Sequence, residues 1–135
     1  TLVEKLLNLM ELHQGDFTQV FRELGSVVVG EAARSHFWQQ PDVDQWTQEW
    51  RRQVLAPSIT PEVVRQRLDQ VNPLLIPRNH LVEKVIRAAV DHSDWVSFER
   101  LMSVLAAPFT SQADCEDLGL PAKPEEQVHE TFCNT

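Results

Sequence analysis

An all-α fold is what this sequence predicts: a small irregular helical bundle followed by an extended acidic C-terminal tail. Three observations carry that reading. Glycine is scarce, four in 135 residues, while Leu, Glu, Gln and Arg, all good helix formers, are plentiful. Apolar residues return at helical spacing along most of the chain as far as Phe109. Prolines and short polar residues fall between those stretches, where helices start and stop. The one strand-like run, Val27-Val28-Val29, is too short before Gly30 to support a strand.

Taken in order, the first helix runs from Thr1 to about His13, with Leu2, Leu6, Leu9, Met10 and Leu12 on a broad face. Thr1 and Glu4 have the form of a capping box, and Gln14-Gly15 ends the helix. Asp16 can cap a second helix, whose Phe17, Val20, Phe21 and Leu24 follow the i, i+3, i+4, i+7 rule; Gly25 either stops it or sits within it. Glu31 to Gln39 reads as a third, short helix carrying Ala32, Ala33 and Phe37. Pro41 breaks the chain, and Asp42 or Asp44 can cap a helix from about 43 to 55, where Trp46 and Trp50 share a face. Thr60-Pro61-Glu62 is a strong start: a capping hydroxyl, a proline at the first helical position and an acid in the first turn. Val64, Leu68 and Val71 line that helix.

The stretch Asn72-Pro73-Leu74-Leu75-Ile76-Pro77-Arg78-Asn79-His80 cannot remain helical. Each proline lacks an N–H and pushes the residue before it toward an extended conformation. An apolar connector braced in this way is expected to bury Leu75 and Ile76. Asn79 can then cap a helix with Val82, Val85, Ile86 and Ala89 as its buried stripe. After the turn His92-Ser93-Asp94, a last helix carries Trp95, Phe98, Leu101, Met102 and Leu105 toward the core, and the two form an antiparallel hairpin closed by Pro108. The expected division is a helical domain over 1–109 and an irregular acidic tail over 110–135.

Composition excludes several classes of function. The net charge is −8, from 12 basic and 20 acidic residues, the opposite of a nucleic-acid footprint. Much of the excess lies in 111–135, where Asp114, Glu116, Asp117, Glu125, Glu126 and Glu130 face only Lys123. No apolar run reaches the roughly 18 residues of a membrane span, and no signal peptide is visible. The chain begins at Thr1 and not at Met, as a piece of a longer protein would.

Catalytic motifs are missing. The glycines, at 15, 25, 30 and 119, form no phosphate loop, and there is no Gly-x-Ser-x-Gly elbow, His-Glu-x-x-His or Cys-x-x-Cys. The five histidines are dispersed. Cys115, His129 and Cys133 have no usual metal-ligand spacing, so no metal site is expected. Arg51, Arg52, Arg65 and Arg67 read as salt-bridging residues on helix surfaces. The Trp46/Trp50 pair reads as core or docking surface and not as a ligand box. Arg78 either reaches a carboxylate or backbone carbonyls, or, with His80, faces a neighbouring domain. Cys133, third from the end in Thr131-Phe132-Cys133-Asn134-Thr135, lies outside any apolar stripe; it is either an unimportant thiol or one able to reach a partner cysteine.

Asn72-Pro73 and Ile76-Pro77-Arg78-Asn79-His80, with Val82-Glu83, Ala88-Ala89, Asp94 and Ala107-Pro108-Phe109, resemble the C-terminal region of the selenoprotein-O family, the pseudokinase-fold protein adenylyltransferases. Gly15-Asp16-Phe17-Thr18 with Phe21-Arg22-Glu23-Leu24 is similar to a further segment of that family, and Phe132-Cys133-Asn134-Thr135 to its cysteine- or selenocysteine-containing terminus. The resemblance implies an upstream kinase-like domain that binds ATP with Mg²⁺ and transfers AMP to Ser, Thr or Tyr of protein substrates. None of its nucleotide- or metal-binding residues maps here, so the resemblance implies no catalytic residue in this chain and no activity of the chain alone. It implies instead a chain that buttresses the upstream domain, with Arg78 and His80 as domain-contact candidates. Cys133 takes the family's redox role by position, with its partner cysteine upstream of Thr1, whereas Cys115 matches no family motif. It implies no nucleic-acid or membrane partner, and a cytoplasmic location in a bacterium or a mitochondrial one in a eukaryote. The alternative is a stand-alone helical interaction module without catalytic activity, using the acidic tail and the tryptophan pair as partner surface.

Overall fold

The structure, a computed structural model, describes residues 1–129. Among them are six α-helices and no strand, so the fold is all-α. The helices are α1 (Leu2–Leu12), α2 (Phe17–Val29), α3 (Pro41–Val54), α4 (Pro61–Val71), α5 (Asn79–His92) and α6 (Val96–Leu105), with 3-10 turns at His36–Gln39, Glu116–Gly119 and Pro124–Glu126. The chain divides into two compact units, one from Thr1 to Pro73 and one from Leu74 onward.

In the first unit the caps are those the residues dictate. Thr1 and Glu4 form the capping box of α1. The Asp16 carboxylate accepts the Gln19 N–H at 2.9 Å, and the Thr60 hydroxyl accepts the Val63 N–H at 3.4 Å. The valine run 27–29 completes α2, which ends on Gly30 at φ 84°, a left-handed position suited to glycine. Pro41 starts α3 instead of breaking the chain: it takes the first helical position, where its missing N–H costs nothing, and the Gln40 side chain at the cap donates back to the His36 carbonyl and makes no capping bond. Asp42 and Asp44 in the first turn, and Arg51 and Arg52 in the last, match the signs of the helix dipole.

Leu6 and Met10 of α1, Val20 and Leu24 of α2, Phe37, and Val43 and Trp46 of α3 form one core, with Leu68 of α4 against it. The Trp46 indole N–H donates to the Leu2 carbonyl at 2.8 Å, and its ring stacks on Trp50. Gly25 lies inside α2, where a helix loses about 1 kcal/mol relative to alanine. The reason is packing: a Cβ there would meet Asp69 Oδ1 of α4 at 2.6 Å. The helix expected over Glu31–Gln39 shrinks to the turn His36–Gln39. Glu23 accounts for this. Its carboxylate accepts the N–H groups of Arg34 and Ser35, each at 3.1 Å, and the Trp38 indole at 2.8 Å, which fixes the preceding residues outside a helix.

In the second unit α5 and α6 pack as the expected hairpin. Ser93, at φ 52°, ends α5, and Asp94 accepts the Val96 N–H at 2.9 Å. The core is small: Leu75, Val104, Cys115 and Leu118, with Leu74 and Leu81 against it. Three expectations are corrected here. Asn79 is the first residue of α5 and not its cap; Arg78 holds the cap position, its side chain making no capping bond. Trp95, Phe98 and Met102 are exposed, because α6 turns Leu101 and Val104 inward instead. The apolar side of α5 is at most half-buried, with Ile86 exposed. The described part of the acidic segment also differs from an extended tail, since it holds two 3-10 turns and buries Cys115 and Leu118.

Candidate functional site

The connector is the centre around which the second unit is built. Its prolines keep residues 73–77 out of a helix, and the freed N–H groups of Leu74 and Leu75 both donate to the Pro108 carbonyl, at 2.8 and 3.1 Å. Two stretches singled out in the sequence, Asn72–His80 and Ala107–Phe109, are thus joined by backbone bonds. Leu75 is 2% exposed, as expected of an apolar connector; Ile76 is only half-buried.

Arg78 closes the other side. Its guanidinium donates to the Gly119 carbonyl at 3.1 Å, while its own carbonyl accepts the Leu81 and Val82 N–H groups of the first turn of α5. Gly119 lies close by the connector: a Cβ on it would stand 3.4 Å from the Leu74 carbonyl oxygen. His80, the second residue of α5, is half-buried. A second arginine clamps the same acidic segment. Arg100 of α6 pairs with Asp117 at 2.9 Å and donates to the Asp114 carbonyl. The Arg100 hydrogen bond holds the Asp117 carboxyl below its ordinary value, and Asp117 in turn raises Arg100. Gln112 donates to the Val104 and Ala107 carbonyls at the end of α6.

Arg22, of the Phe21-Arg22-Glu23-Leu24 stretch, does comparable work in the first unit. Its guanidinium donates to the Asp69 and Asn72 carbonyls at 3.0 and 2.9 Å, where α4 ends and leaves carbonyls unpaired. Arg65 pairs with Glu31 at 2.8 Å, which raises its pKa, in keeping with the salt-bridging expected of it. His13 lies 2.9 Å from both Asp42 oxygens, and that hydrogen bond lowers the Asp42 pKa.

Among the described residues Cys115 joins no group of metal-ligating side chains. Cys115 is 9% exposed, packed with Leu75, Val104 and Leu118, the setting of an inert thiol. Cys133 lies outside the described residues. Among the described residues no three of His, Cys, Asp or Glu stand together in a way that could hold a metal ion, and no helix is long and apolar enough to cross a membrane.

What sequence reasoning missed are the contacts of Glu23, Gly25 and Arg100. Each acts on a partner distant in sequence, and only the Gly25 position, a glycine inside a helical pattern, gave a signal.

The described chain is therefore a helical scaffold whose motif arginines are engaged with its own backbone. The family model described as protein adenylyltransferase SelO matches residues 1–106. The chain belongs to that family. It is 38% identical over 99% of its length to the protein nucleotidyltransferase YdiU of Bradyrhizobium diazoefficiens, covering 28% of that protein. The same-named proteins of Rhizobium johnstonii and Ruegeria pomeroyi are 40% and 42% identical over 99% of this chain, with 28% and 26% of their lengths covered. The chain thus spans little more than a quarter of these relatives. No solved structure matches it.

Proposed function

We propose that this chain is the C-terminal helical part of a protein adenylyltransferase that transfers AMP from ATP to Ser, Thr or Tyr hydroxyls of proteins. The kinase-like domain that holds ATP and Mg²⁺ would then lie upstream of Thr1. One observation carries this reading: a chain of this family, spanning 28% of a nucleotidyltransferase relative, engages Arg22 and Arg78 of its motifs with its own carbonyls. Such a part supplies shape. Its partners are the upstream domain of the same chain and the protein substrates of the whole enzyme. Cys133 is the redox-active thiol in this reading, with a partner cysteine upstream of Thr1. In a bacterial cell the enzyme would work in the cytoplasm.

Incubation of this chain alone with labelled ATP and a protein acceptor should give no AMP transfer, whereas the longer parent should give it. Transfer by this chain alone would overturn the assignment of catalysis to an upstream domain. The gene upstream of Thr1 gives a second check. A long reading frame with a kinase-like lysine and metal-binding acids supports the proposal; a start codon near Thr1 favours a stand-alone interaction module.

A further inference from the structure

The outer side of α6 is apolar where a solvent-facing helix would be polar. Trp95, Phe98 and Met102 follow one another at i, i+3 and i+7, the spacing of a single helix face, and all three are exposed. The Trp95 and Phe98 rings meet edge to face at 6.0 Å, so two aromatic side chains hold each other on that face. The inward side of the same helix already carries Leu101 and Val104, which are buried. The helix is thus apolar over more of its circumference than its own unit covers. The neighbouring α5 shows the same shortfall. It is fourteen residues long with no buried residue, and it exposes Ile86 and Val90. Helices of this length are marginal in water unless tertiary packing supports them, and contiguous exposed apolar surface marks contact sites.

We infer that the Trp95–Phe98–Met102 face of α6 is the surface on which the upstream part of the same polypeptide docks. This rests on the reading of the chain as the C-terminal part of a longer adenylyltransferase, and deepens it by naming the docking face. The choice of occupant follows from length: relatives that match 99% of this chain extend over more than three times its share of their sequence, so most of such a protein lies outside this chain. The occupant's contact would be apolar, since Trp95, Phe98 and Met102 offer no charge for it to meet. Anchors at i, i+3 and i+7 on one helix suit a groove formed by helices or a sheet face.

The test is thiol accessibility. In a Cys133→Ser background, Phe98→Cys and, separately, Met102→Cys place a thiol on the face, while Cys115 remains buried. Maleimide labelling of the longer parent should be slower than labelling of this chain alone by about ten-fold or more at both positions. Circular dichroism confirms folding of each variant, and the exposure of both positions makes the substitutions tolerable. Equal rates in the two proteins would overturn the inference. Slow labelling of this chain alone, with a dimer mass in sedimentation and rates that rise on dilution, would also overturn it, by showing a second copy on the face. The AMP-transfer assay on the same parent separates the two readings. Protection without transfer leaves the docking face standing and removes the assigned activity; transfer with equal labelling rates does the reverse.

Discussion

The two units solve the same problem to different degrees. In Thr1–Pro73, α1, α2 and α3 each turn at least two residues into one core, and Val20, Val28 and Val43 are fully buried. In the second unit the core is four residues, one of them a cysteine, and three of those four come from outside any α-helix. Leu75 belongs to the connector, and Cys115 and Leu118 to the acidic segment that folds back on it. The helices of that unit keep large apolar residues outside instead. The first unit thus joins α1, α2 and α3 in one core, although Leu12 and Phe17 stay exposed and α4 has no buried residue, while the second is held by its irregular segments and leaves the α6 aromatics uncovered. Burial, and not helical pattern, separates the helix-built core of the first unit from the loop-built core of the second.

That contrast can be broken by substitution. Trp46→Ala should cost most, about 3–5 kcal/mol, because a ring only 5% exposed leaves a cavity and the Leu2 carbonyl loses its donor. Leu75→Ala should follow at about 2–4 kcal/mol, read from hydrogen exchange of α6 amides, since the small core around it can partly collapse. A larger loss at Leu75 than at Trp46, each measured on its own unit by exchange, would reverse the ranking of the two cores.

How much of this was legible in the sequence depended on distance along the chain. Local rules located the caps at Thr1, Asp16 and Thr60, because a cap and its partner are three residues apart. They also read Leu75 as buried, since two prolines and an apolar run leave it nowhere else to go. They failed at Trp95. A stripe of Trp95, Phe98, Leu101, Met102 and Leu105 is periodic whichever part of it faces inward, and it is Leu75, Cys115 and Leu118, distant in sequence, that pack on Val104 and make its side the inner one. Arg100 was invisible for the same reason, as its partner Asp117 is seventeen residues on. Of the candidate site, the connector and Arg78 were legible as structural devices. The family motifs that named them gave no indication that the Arg78 guanidinium reaches Gly119.

Close packing in the first unit gives the next effect in size. Gly25→Val should destabilise by about 1–3 kcal/mol, because its side chain would force Asp69 away from Arg22 and Arg65. Chemical denaturation of the variant should show an unchanged slope and a lower midpoint; an unchanged midpoint would mean that α2 and α4 can separate without cost.

A smaller effect concerns the clamp on the acidic segment. The folded pKa of Asp117 is depressed by Arg100, so its contribution is present above the ordinary aspartate value of about 3.9 and is lost as pH falls through the lower folded value. The pair is well exposed, and such pairs contribute about 0.2–1 kcal/mol. Asp117→Asn should therefore lower stability slightly at pH 7 and make its acid limb shallower. An acid limb that superimposes on that of the unaltered chain would show that the clamp carries no measurable linkage.

Smallest of all should be Trp95→Ala. The sequence alone reads this ring as core, which would make the cost one of several kcal/mol; at 58% exposed it should instead change the stability of this chain by no more than about 0.5 kcal/mol. Trp95 is also the sole tryptophan after Pro73, the others being Trp38, Trp46 and Trp50, so its fluorescence reports the second unit alone. Difference spectra between the unaltered chain and Trp95→Ala should show red-shifted, readily quenched emission from that ring. A blue-shifted, protected emission, or a loss of several kcal/mol, would mean that the second unit covers the α6 face itself, and the contrast between the two units would then disappear.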